Sequence, residues 1–214
     1  MGVFYSGLDL GRQRDPSAFA AVEVRETVPD PERPKMPALR HDCRWLERWP
    51  LGTPYPEICE AVGRMYDGTP LAGTTLLVDA TGVGLAVYEM LKDHFARKGL
   101  SAVFRPVVIT AGFSTAIAAD GIHLPKKQLV SALQSVLQGR RLQIADGLAE
   151  AEALRRELEA FQLRITESAN EVFGAESGQH DDIALALMLP VWLGERRGAH
   201  DIWPDLRADA PRPA

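Results

Sequence analysis

Apolar and polar residues follow two different periods along this chain, and the points where the period changes mark out its elements. Residues 3–10 (VFYSGLDL) form an apolar-rich run ending in Asp9-Leu10-Gly11, and they predict a strand. Residues 11–17 (GRQRDPS) carry an Asp-Pro turn signal. Residues 19–24 predict a second strand, and so short a link requires antiparallel pairing. Residues 27–40 hold four prolines and many charges, and read as an exposed excursion. Residues 42–49 alternate as a third strand, with Cys43, Trp45 and Leu46 expected to face inward. The period then becomes helical. Ile58, Val62 and Met65 share one face of a helix over 54–66. The run TTLLV at 74–78 has the continuous apolar character of a central strand covered on both faces, and it stops at Asp79.

Thr81-Gly82-Val83-Gly84 turns the chain into a helix over 85–97 closed by Gly99, and 102–109 predicts another strand. Pro125 is placed to open a helix reaching about Gln138. A short strand at 142–144, a charged amphipathic helix over 150–161 and extended or hairpin chain over 163–173 follow. Asp181 then leads the nearly all-apolar DDIALALMLPVWL, a helix buried on most sides that Pro190 kinks or ends. The order β-β-β-α-β-α-β followed by helices implies an α/β fold. Its expected sheet is mixed and five-stranded, with three antiparallel strands, then βαβ crossovers, and helices on its faces. One domain over 1–195 and a loose Arg-, Asp-, Gly- and Pro-rich tail over 196–214 are expected.

Composition changes this picture little. With 214 residues, 46% apolar and 25% charged, the chain has the make-up of a globular, soluble domain able to bury a core. No apolar run approaches the roughly 18 residues of a membrane span. The first residues lack the layout of a signal peptide. Cys43 and Cys59 are too few and too far apart for a disulfide framework or zinc knuckle, which makes a reducing, cytoplasmic setting the default expectation. The net charge of −5 argues against nucleic acid only in part, since a site that holds metal cations is itself acidic. Local basic pairs remain as candidate phosphate contacts: Arg12 with Arg14, Lys126 with Lys127, and Arg140 with Arg141.

The acids carry the chemistry. Asp9 falls at the end of the first strand, Asp79 at the end of the fourth, and Asp181 and Asp182 open the last helix. Ligand sites in open α/β sheets form beyond the carboxyl ends of strands where the strand order switches. If the first and fourth strands are neighbours, Asp9 and Asp79 lie side by side there, and a helix start beside them completes a carboxylate cluster. Each acid alone has a plainer role, Asp9 as a turn residue and Asp79 and Asp181 as helix caps. Together they favour hard divalent cations, Mg²⁺ or Mn²⁺, in the two-ion arrangement suited to phosphodiester chemistry.

Four segments in this order resemble the nuclease domain of the large subunit of tailed-phage terminases, in the ribonuclease H-like superfamily. They are Gly7-Leu8-Asp9-Leu10-Gly11-Arg12 with Asp15-Pro16-Ser17-Ala18, then Val78-Asp79-Ala80-Thr81-Gly82-Val83-Gly84, then Lys126 to Leu142, and Gly178-Gln179-His180-Asp181-Asp182 with its apolar helix. The resemblance runs from about Gly7 to Trp192. It implies a ribonuclease H-like fold and an endonuclease that cuts double-stranded DNA during viral genome packaging in the host cytoplasm. Asp9, Asp79 and Asp182 would be the catalytic, metal-binding acids, and Asp181 an auxiliary ligand or helix cap. His180 is read as orienting the helix start, with approach to the metals as its alternative. Arg12 and Lys126 are read as candidate phosphate contacts. A packaging ATPase, a small terminase subunit and a portal are the implied partners. No GxxxxGK[ST] loop occurs in these residues, so the motor function is not expected of them.

Three other readings differ in substrate or class. A Holliday-junction resolvase or transposase would share the fold. A non-catalytic module would keep the fold to bind a packaging partner, which the intact acids oppose. An actin-like ATPase shares the first Asp-x-Gly turn but needs two domains and more chain.

Overall fold

Every strand joins one sheet in the computed structural model, which describes residues 2–11, 15–27, 38–167 and 181–196. The chain runs through β1 (Val3–Asp9), β2 (Ala18–Thr27), β3 (Ala38–Arg48), α1 (Tyr55–Tyr66), β4 (Thr75–Asp79), α2 (Gly84–Lys98) and β5 (Val103–Thr110). A hairpin of β6 (Ala116–Ala118) and β7 (Gly121–Pro125) leads into α3 (Lys126–Gln138), β8 (Leu142–Ile144), α4 (Ala151–Glu167) and α5 (Asp182–Glu195). The strand order is β6-β7-β5-β4-β1-β2-β3-β8. The five strands of the expected sheet form its centre; β8, the short strand expected at 142–144, joins one edge and the β6–β7 hairpin the other, for eight in all. β1 pairs antiparallel with β2 and parallel with β4, and β2 with β3 antiparallel. The α/β architecture is thus the expected one.

Two apolar layers sandwich the sheet. α5 lies against β1, β2 and β3, with α3 and α4 packed on it, and this face contains Ala20, Val22, Leu77, Leu133, Leu154 and Trp192. α1 and α2 cover the other face, where Leu8, Phe19, Ile58, Leu76 and Phe95 pack. α5 is buried nearly all round, which explains its lack of a polar face, and Pro190 sits inside it without ending it.

Two expectations need correction. Trp45 is 36% exposed, while Cys43 and Leu46 both enter the α5-side core. A register shift opposite Ala21 and Val22 places an extra residue in β3, so residues three apart share a face. The second concerns 163–173, read as extended chain. α4 continues as helix to Glu167, and the rest of that stretch lies outside the described residues, as does the tail beyond 196.

Candidate metal centre

Strand alternation aims the two strand-end acids at the same helix. Along β1, Leu8 and Leu10 pack in the α1/α2 core, so Asp9 points to the opposite face, beneath α5. In β4, Leu77 belongs to the α5-side core, and Asp79, two residues on, shares its face. The parallel register pairs Leu8 with Val78, which sets Asp9 and Asp79 beside each other at the carboxyl ends of both strands. The strand order reverses here, since the chain leaves β1 towards β2 and β4 towards β5.

Asp9 is buried, and its carboxyl is held far above the usual carboxylate range. Burial is the largest cause, followed by the charges of Asp79, Asp182 and Asp181 and a hydrogen bond with the Asp79 side chain. The charges of the other three acids singled out in the sequence thus all reach Asp9. Asp79 does not cap α2, whose N-cap is Val83 without a side-chain bond; its Oδ1 instead accepts the Thr81 N–H at 2.9 Å and closes the turn after β4. The loop behind it is pinned by the Ala80 N–H to Val107 O bond (2.8 Å) and by Thr81 Oγ1, which accepts from the Ile109 N–H (3.0 Å). Only a glycine fits where α2 begins, because a Cβ at Gly84 would stand 2.2 Å from the Asp79 carbonyl oxygen.

Asp182 is 3% exposed in the first turn of α5, where the helix dipole favours negative charge. Asp181 occupies the N-cap position, yet its side chain makes no capping hydrogen bond. It turns instead to Lys126, whose Nζ lies 3.1 Å from its Oδ2, so the expected side-chain cap is replaced by an ion pair. Among the described residues, no group of three or more His, Cys, Asp or Glu side chains stands placed to hold a metal ion. The donor set nonetheless fits hard cations. A buried carboxyl crowded by three others is what a divalent ion relieves, and all the donors are oxygens.

The family profile of the terminase RNaseH-like domain matches residues 72–191, more than half of the chain. The chain belongs to this family. The matched stretch includes Asp79, Lys126, Asp181 and Asp182, and Asp9 lies ahead of it. No curated protein sequence matches the chain. Among solved structures, it is similar to the terminase nuclease domain of human cytomegalovirus, soaked with Mn and bound to an inhibitor. That likeness has a TM-score of 0.56 at 12% identity, over 89% of this chain and 82% of the other. The large terminase nuclease of thermophilic phage G20c is similar with a TM-score of 0.50 at 19% identity, over 88% and 81%. The family profile gives the domain its ribonuclease H-like fold, and these structures are alike in fold.

The basic candidates separate. Lys126 stands at the acid cluster, and Lys127 Nζ lies 3.4 Å from the ring centroid of the exposed Phe113. Arg140 follows the other end of α3, about 20 Å away by the rise of a 13-residue helix. Arg141 is engaged by Glu195 at 2.6 Å. Arg12, Arg14 and His180 lie outside the described residues.

Sequence reasoning passed over two neighbours of the terminase site. Glu157 Oε2 accepts the Ala184 N–H of α5 at 2.8 Å, and Arg48 Nη1 stands 3.6 Å from Glu157 Oε1. Burial raises the Glu157 carboxyl to about 7, the charges of Asp182 and Asp181 adding to it while the Ala184 bond and Arg48 oppose it. One signal was available. Glu157 falls three residues after buried Leu154 and next to buried Leu158, a charge on the apolar face of its helix.

Proposed function

We propose that this terminase domain is an endonuclease that hydrolyses phosphodiester bonds of double-stranded DNA with two divalent ions, Mg²⁺ or Mn²⁺, as part of viral genome packaging. The observation that carries this reading is the crowding of Asp79, Asp181 and Asp182 around buried Asp9 at the carboxyl ends of β1 and β4. The ions, when bound, supply a clamp on the attacking and leaving oxygens and an acidified water. Asp9, Asp79 and Asp182 would hold them, and Asp181 would serve as auxiliary ligand. Lys126, beside Asp181, gives the site a cation to meet a phosphate. Lys127 lies next to it in sequence, on the first turn of α3. The Mn-soaked cytomegalovirus domain is a supporting likeness.

Such contacts address the backbone and predict little base preference. A packaging ATPase, a small terminase subunit and a portal are the partners this role requires. No helix among the described residues is long and apolar enough to cross a membrane. A plasmid-nicking assay tests the proposal. Conversion of supercoiled DNA to nicked and linear forms with Mn²⁺ or Mg²⁺, abolished by excess chelator, is the expected result. Cleavage persisting in chelator, or confined to four-way junctions, would overturn it.

A further inference from the structure

An α-helix leaves its first N–H groups without partners inside the helix, and a side chain at the N-cap normally takes one of them. α5 departs from this. Asp181 sits at the N-cap with its carboxylate turned to Lys126, and contributes only its backbone carbonyl, which accepts the Leu185 N–H at 2.8 Å. The Ala184 N–H is taken by Glu157, a residue of another helix. Glu157 is itself fixed, with a side chain only 8% exposed, and Arg48 at the end of β3 bridges it to Glu150, with Nη2 to Glu150 Oε2 at 3.2 Å.

This arrangement is costly if it serves only to cap a helix. Glu157 feels the charges of both Asp181 and Asp182, so it sets a further anion near a cluster already crowded with them. Asp182, two residues before Ala184, projects from the turn that Glu157 holds. We propose that Glu157 is a positioning residue of the carboxylate site, capping α5 from α4 and thereby fixing where Asp182 presents its carboxylate to divalent ions. The inference rests on the metal reading above.

Three variants separate reach from charge. Glu157→Gln keeps the length and an oxygen acceptor for the Ala184 N–H but loses the charge. Glu157→Asp keeps the charge and is one methylene too short. Glu157→Ala loses both. The measurement is Mn²⁺ affinity of the full chain, read without DNA from the rise in melting temperature on MnCl₂ titration. Glu157→Gln is expected to hold Mn²⁺ within about threefold of wild type. Glu157→Asp and Glu157→Ala should weaken it by about tenfold or more, the range for groups that orient metal ligands.

If Glu157→Ala does not fold, the Gln and Asp variants decide alone. Affinity kept by Asp and lost by Gln would mean that the charge matters rather than the cap, and would overturn the inference. So would equal affinity in all variants beside a wild type that binds. A wild type that takes up no Mn²⁺ overturns the metal reading and this inference with it.

Discussion

A Cβ on Gly7 would stand 2.3 Å from the carbonyl oxygen of Ala186, so the backbone of α5 rests directly on β1. Pro190 Cδ and Leu189 Cβ close the same space at 2.8 and 2.9 Å. Asp9 lies two residues beyond Gly7, and Asp182 four residues before Ala186. The seating that excludes a side chain is therefore the one that brings the two acids together. Gly7→Ala is expected to cost about 1–3 kcal/mol in urea unfolding, the range for overpacking. Nicking should fall further than that loss explains at temperatures where the variant is folded. Full activity in a folded Gly7→Ala protein would show that helix seating does not set the site.

Crowding at Asp9 makes the metal-free protein sensitive to pH. Its folded carboxyl holds a proton more tightly than the unfolded one, chiefly through burial and then through Asp79, Asp182 and Asp181. A raised carboxyl pKa means that the folded state binds the extra proton, so stability falls as pH rises from the unfolded value of about 4. Asp9→Asn removes this dependence. In chelator, its melting temperature should match wild type near pH 3 and exceed it by at least about 3 °C at pH 7, the shift that 1 kcal/mol gives at this size. Nicking should be lost. A wild type more stable than Asp9→Asn at pH 7 without metal would contradict the crowding.

The acids were legible because each ends an apolar strand or opens an apolar helix, where period and chemistry mark the same residue. The central strands were legible for the same reason, TTLLV above all. The β6–β7 hairpin was not, since Ala116–Ala118 is short and exposed and gives no alternation to read. Trp45 was misassigned because a bulge resets the parity of β3, and a bulge leaves no local mark in the sequence. Glu157 was missed because it resembles Glu152 and Glu159 of the same helix. Its place between Leu154 and Leu158 is the one local mark that sets it apart, and its partner, the start of α5, comes from far along the chain.

At the far end of α5, Glu195 accepts two hydrogen bonds from Arg141, at 2.6 and 2.7 Å, and stands 2.7 Å from Nε2 of buried His41. Burial would raise its carboxyl, but the bonds from Arg141 and His41 prevail and hold it down at about 2. A depressed carboxylate contributes stability that is fully present above its unfolded value of 4.5 and is lost as pH falls towards about 2. Allowing for screening by solvent, that contribution is about 2 kcal/mol. Glu195→Gln should therefore be less stable than wild type by about this amount at pH 7, and nearly equal to it close to pH 2. Urea unfolding of both proteins across that range checks it; a gap that does not narrow with acid would refute the ion pair as its source.

Asp181 and Asp182 are adjacent but hold unequal positions. Asp182 is buried in the first turn of α5, while Asp181 is partly exposed and paired with Lys126. Asp182 is helical while Asp181, at φ −122° and ψ 22°, stands ahead of the helix, so the two cannot present to the same ion in the same way. Asp182→Asn is expected to take nicking below detection while the protein stays folded, and relief of like charge around Asp9 should leave its metal-free form no less stable. Asp181→Asn removes no side-chain cap, because none is made, and leaves Glu157 holding the helix start. It should retain activity reduced by about 10- to 100-fold, as for residues that assist a direct ligand. Nicking rates and melting temperatures of both variants, with and without Mn²⁺, decide the assignment. Full activity in Asp182→Asn with loss confined to Asp181→Asn would reverse it.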